Sequence, residues 1–298
     1  MNLILTTSIL LAAFSVSSSL AEKSLADWTT EAEDIFIKFY GKTSTYKASL
    51  ELEKGIRFSH GLQGLSGVND DGTTKFTLLQ KDLKARSSAG IHNTHRGFYV
   101  VGNHRAAYPQ LYTKPEDPGM SLLNLLYLPE RPIYNGVTLT TKDIDMLNSM
   151  KTYTQECIAD RKCLDEILHV QEKAFSKAIV ERRKAGIDEK LLEEYEKRFK
   201  EDKEVILHGD KKRHIPRLDG SHVKLYLHLH PNHGIGQLVV HVVATHPAMR
   251  TNTLHDHKNF PIDAIIHAIK SPRVQEAREK ALGDIGPLTR PSSPRLHR

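Results

Sequence analysis

The chain has 298 residues, with 42 Lys and Arg against 36 Asp and Glu and 39% hydrophobic positions. That length builds one large domain or two small ones, and a net charge of +6 on a chain that is 26% charged is too dilute for a nucleic-acid footprint. Two cysteines exclude a disulfide scaffold, and the absence of Cys-x2-Cys pairs excludes a structural zinc finger.

Leu3 to Val16 is uncharged and largely apolar, and Ser19-Leu20-Ala21 fits a small-x-small cleavage site before Glu22. Residues 1–21 therefore read as a signal peptide, and the mature protein is expected to be secreted. The apolar run, about 14 residues, falls short of the ~20 that a spanning helix needs, so no membrane anchor is expected. Export would let Cys157 and Cys163 pair; two separate buried thiols are the alternative. No Asn-x-Ser/Thr sequon is present.

In chain order, Trp28 to Tyr40 reads as an amphipathic helix with Gly41 as its stop. Ile56 to Phe58 and Lys75 to Leu79 read as strands separated by a turn around Asn69 to Gly72, and Phe98 to Val101 as a third strand. Leu122 to Leu128 is a buried strand ended by Pro129. Thr140 and Asp143 have the spacing of a capping box, and Ile144, Leu147, Met150 and Cys157 continue on helical spacing.

Two charged helices follow. Leu164, Ile167, Leu168, Phe175 and Ile179 form one stripe, Leu191, Leu192, Tyr195 and Phe199 another, with Gly186 between them; the near-balanced charge from Arg161 to Arg217 predicts a solvated helical hairpin or arm, within a helical insertion of about 158–217. Its end, Lys211-Lys212-Arg213-His214, reads as a wet loop or a phosphate contact. Val223 to His230 alternates with period two, which puts His228 and His230 on one face, and a turn then leads into a second strand from Gln237 to Thr245. A last helix is predicted from about Pro261 to Ala281, and 283–298 reads as a disordered basic tail.

Seventeen histidines are the compositional oddity. Three uses compete: ordinary surface imidazoles; a metal site drawing on His228 and His230 with His241 or His246; and a phosphate-handling site, in which imidazoles donate to or attack a phosphoryl group.

The stretch Asn232-His233-Gly234-Ile235-Gly236-Gln237-Leu238-Val239-Val240-His241 resembles the segment leading into the catalytic motif of the histidine-triad (HIT) superfamily of nucleotide hydrolases and transferases. Leu126-Tyr127-Leu128-Pro129-Glu130-Arg131-Pro132-Ile133 is similar to a strand of that family that ends in a Pro turn, and the scavenger mRNA-decapping branch has its elements in this order. The resemblance covers roughly residues 95–160 and 220–270. It implies an α+β fold, an antiparallel sheet of about five strands with helices on one face, within a domain over 22–282 interrupted by the helical arm.

It also implies a nucleotide or phosphate pocket in which Asn232, Gly234, Gly236, Gln237, His228 and His230 hold the ligand and His241 and His246 are the candidate catalytic imidazoles. One register places His241 first in the triad with Val243 at the centre; another places Val239 at the centre with His241 third. Either way valine stands where the family attacks phosphorus, and valine has no lone pair with which to form the nucleotidyl intermediate. The leading expectation is thus a binder without the usual nucleophile. Alternatives are an active nucleotide phosphohydrolase using displaced histidines and a secreted interaction protein that uses the fold as a scaffold for a protein partner outside the cell. In the plainer reading, Gly234 and Gly236 only make the turn. No cofactor or metal is implied, and a homodimer is expected only through the resemblance.

Overall fold

The computed structural model describes residues 23–54, 65, 67–69, 73–74, 90–93, 96–103, 123–231, 236–245 and 259–288. The strand predictions at Ile56 to Phe58 and Lys75 to Leu79 lie outside them, as do the signal peptide and the last ten residues of the predicted tail. Helix α1 (Leu25–Tyr40) starts on a capping box in which Ser24 and Asp27 satisfy each other's backbone N–H groups. Its apolar face, Trp28, Ala32, Phe36, Phe39 and Tyr40, is buried. Gly41 ends it, and α2 (Thr43–Glu53), which the sequence reading did not predict, follows at once.

The sheet comprises β1 (Gly90–Asn93), β2 (Phe98–Gly102), β3 (Asn124–Pro129), β4 (Val223–Leu227), β5 (Val240–Ala244) and the two-residue β6 (Phe260–Pro261). All its pairings are antiparallel, in the order β1-β2-β3-β5-β4-β6. Side chains alternate across it, as the period of a strand requires. Phe98, Val100, Leu125, Tyr127, Leu225, Leu227, Val240 and Val242 enter the main core, whereas Tyr99, Val101, Leu126, Leu128 and Val239 form a second buried cluster on the opposite face.

The main-core face is covered by α1, α2, α3 (Ile144–Ala159), α6 (Ile262–Lys270) and α7 (Pro272–Ile285), whose buried residues are contiguous with it. The capping box of Thr140 and Asp143 is formed on the short 3-10 turn Thr141–Asp143 that leads into α3. The single C-terminal helix predicted from the sequence is instead two. Ser271 is extended and Pro272 occupies the first turn of α7, where the missing N–H costs no hydrogen bond. α7 also runs on to Ile285, into the segment read as tail.

The two charged helices predicted in this stretch are α4 (Arg161–Lys184) and α5 (Glu189–His208), and they are more buried than a solvated arm would be. Leu164, Ile167 and Leu168 join the main core, as do Val205, Ile206 and Leu207 at the far end of α5. Between them Phe175, Ala178, Ile179, Leu192, Tyr195 and Phe199 make a separate small core, with the rings of Phe175 and Phe199 stacked at 4.4 Å. α4 lies close on β2: a Cβ on Gly102 would sit 2.6 Å from Cβ of Ala174 and 2.7 Å from the carbonyl of Val170. At the corner between α3 and α4, Cys157 and Cys163 form a disulfide with Cα atoms 4.7 Å apart. Among the described residues no helix is long and apolar enough to cross a membrane.

Candidate functional site

His241 lies mid-strand in β5, between Leu126 of β3 and Tyr226 of β4 in the sheet register. By alternation its side chain shares the face of Val239 and Val243, which are 8% and 3% exposed, while His241 itself is only partly buried. β5 and the residue that leads into it therefore offer one imidazole flanked at both i±2 positions by buried aliphatic side chains. His228, one residue past the end of β4, lays its ring on that of His241: the centroids are 4.4 Å apart and the planes differ by 28°. The Nε2 atom of His228 is 2.9 Å from Oδ1 of Asn259, which fixes the ring from its far side.

His230 does not join this pair. β4 ends at Leu227, so the alternation that would have put both histidines on one face stops before it applies. The chain turns there, with a cis bond between His230 and Pro231. The His230 ring, 8% exposed, packs on the helix side against Phe39 at 5.1 Å, with Nδ1 3.4 Å from the Tyr134 hydroxyl. The metal reading meets the same geometry. Among the described residues no group of three His, Cys, Asp or Glu is placed to hold an ion.

Gln237 is 6% exposed, and Oε1 accepts from the Thr74 hydroxyl at 3.1 Å while Nε2 is buried with no hydrogen-bond partner among the described residues. The N–H of Gly236 is bound to the Gly67 carbonyl at 2.9 Å. Leu238 and Val240 turn into the main core, and Val239 between them joins the opposite face. Asn232, Gly234 and His246 lie outside the described residues.

The sequence reading missed the residues that hold this region in place. Asn135, 2% exposed, accepts the His230 N–H on Oδ1 at 3.0 Å and donates from Nδ2 to the His228 carbonyl at 3.3 Å. Its neighbours are tied in turn to Glu53 at the end of α2, which accepts from the Tyr134 N–H at 2.8 Å and from the Thr138 hydroxyl. Burial holds the Glu53 carboxyl above the usual carboxylate range, against the opposing pull of those two hydrogen bonds and of Arg131. Asn135 starts a short helical turn, Gly136–Thr138, with Oδ1 also accepting from Val137 N. Asn before Gly is a turn signal legible in the sequence, but nothing local says that its amide reaches a strand end 93 residues away. No protein-family profile, curated protein or solved structure matches the chain.

Proposed function

We propose that this chain is an exported, HIT-like protein that binds a phosphate-bearing ligand of nucleotide type on the sheet face of His241, and that it does so without forming a covalent bond to phosphorus. In this reading α4 and α5 are an insertion in the HIT-like framework. The observation that carries it is the row at β5 and the residue before it: one imidazole, His241, set between buried Val239 and Val243 and stacked on His228. A partly exposed imidazole pair offers donors to phosphoryl oxygens near neutral pH. Gln237 supports the same reading, because a buried amide donor without an acceptor costs roughly 1–3 kcal/mol, and a ligand oxygen would recover that cost. The buried valines supply no nucleophile for the usual intermediate. Export is supported by the leader-like residues 1–21 and by the Cys157–Cys163 disulfide, a bond that persists in oxidising compartments.

Calorimetric titration of the full mature chain with AMP, GMP and a cap analogue tests the proposal. Binding is expected, weakened about tenfold by His241→Ala, a loss of about 1.4 kcal/mol, and less by Gln237→Ala. No heat with any of the three would leave the scaffold reading in its place. Turnover of a dinucleoside polyphosphate that disappears in His241→Ala would overturn the claim of binding without catalysis.

A further inference from the structure

The His228–His241 stack depends on where the chain goes after it leaves β4. β4 ends at Leu227, so the backbone of 228–230 has to find its partners elsewhere. It finds two of them on one side chain. Asn135 accepts the N–H of His230 on Oδ1 at 3.0 Å and donates from Nδ2 to the carbonyl of His228 at 3.3 Å, so a single buried amide spans the residue between them.

That residue, Leu229, is 1% exposed in the main core, and its Cδ2 lies 2.5 Å from where a Cβ on Gly136 would be. The stretch 228–230 is thus pressed against the Asn135–Gly136 backbone at van der Waals distance. The far end of the clamp is also fixed. The Thr138 hydroxyl lies 3.0 Å from the Asn135 carbonyl, and Glu53 accepts from Tyr134 and Thr138 on either side of it. Because His228 and His230 turn to opposite sides of the sheet, a clamp on both their backbones sets which ring meets His241 and which meets Tyr134.

We infer that Asn135 is a positioning residue for the imidazole pair: it bonds the backbones of His228 and His230, and it holds the 228–230 stretch so that the His228 ring stacks on His241 and reaches Asn259. This deepens the ligand-binding proposal and takes its functional meaning from it. Asn135→Asp keeps the acceptor for His230 but places an anionic oxygen against the His228 carbonyl; Asn135→Ala removes both bonds.

NMR of the full mature chain with labelled histidine reads the geometry without any ligand. In the wild type, a ring-to-ring nuclear Overhauser effect between His228 and His241, with ring-current shifts of their carbon-bound protons, is expected. Both are expected to be lost in Asn135→Asp and Asn135→Ala, and to persist in Phe199→Ala, which lowers stability from the separate small core. A folded Asn135→Asp variant that keeps the contact overturns the inference. So does rapid exchange of the His230 amide in the wild type, a measurement that needs no variant to fold. If the ring contact depends on Asn135 while AMP, GMP and cap analogue all fail to bind the wild type, the positioning role stands and the ligand proposal falls.

Discussion

Asp202 is a largely buried carboxyl in a charged helix. It sits in α5 with its side chain 17% exposed, its Oδ2 is buried with no hydrogen bond among the described residues, and Nε of Arg198 is 3.8 Å away. Burial pushes its carboxyl up to about 6, with Arg198 and Arg213 pulling the other way. An acid raised in the folded state binds more protons there than in the unfolded chain, so this group lowers stability as pH rises from about 4 through 6. Asp202→Asn is therefore expected to stabilise the protein by about 1 kcal/mol at pH 7.5 and to change little at pH 4. Urea unfolding at the two pH values checks this; an equal change at both would show that the effect does not come from ionisation of the buried carboxyl. Glu53 contrasts with it. It too is raised by burial, but two hydrogen bonds and Arg131 oppose the shift, and its oxygens secure the segment that carries Asn135.

Among the elements, α4 and β2 show how a charged helix is drawn from solvent onto a sheet. The contact is made at Gly102, where the absence of a side chain lets Val170 and Ala174 approach the strand. Next to it the Asn103 N–H is shared between the Asn124 carbonyl at 3.0 Å and Gln171 Oε1 at 3.2 Å, so α4 adds a second acceptor to a backbone group the neighbouring strand already holds. Gly102→Ala is expected to push α4 outward and to cost about 1–3 kcal/mol, as overpacking a tight contact does. The urea midpoint measures it; an unchanged midpoint would mean that α4 is not seated on β2. The helical stripes of α4 and α5 were legible as amphipathic patterns. Charge balance, however, reports only which faces are wet, and cannot tell a helix packed on the core at both ends from one that projects.

At the scale of the molecule, the two cores are joined through α4, and the Cys157–Cys163 bond closes the turn by which the chain enters it. With a sequence separation of 6, the chain-entropy account gives the bond about 2 kcal/mol of stability. The Cys157→Ala/Cys163→Ala pair should lose that amount in equilibrium unfolding, and no change would locate the constraint in the packing of α3 and α4 instead. The sequence by itself determined most of the elements, because period-two and helical patterns, Gly41, the Thr140–Asp143 box and Pro129 act within a few residues of where they stand. It determined the valines beside His241 as well, since alternation along one strand is a local matter. The tertiary structure alone decided that His228 meets His241 while His230 meets Tyr134, and that Asn135 stands between the two outcomes. A strand's pattern governs its side chains only while the ladder lasts, and beyond Leu227 the backbone takes its partners from a segment more than ninety residues earlier in the chain.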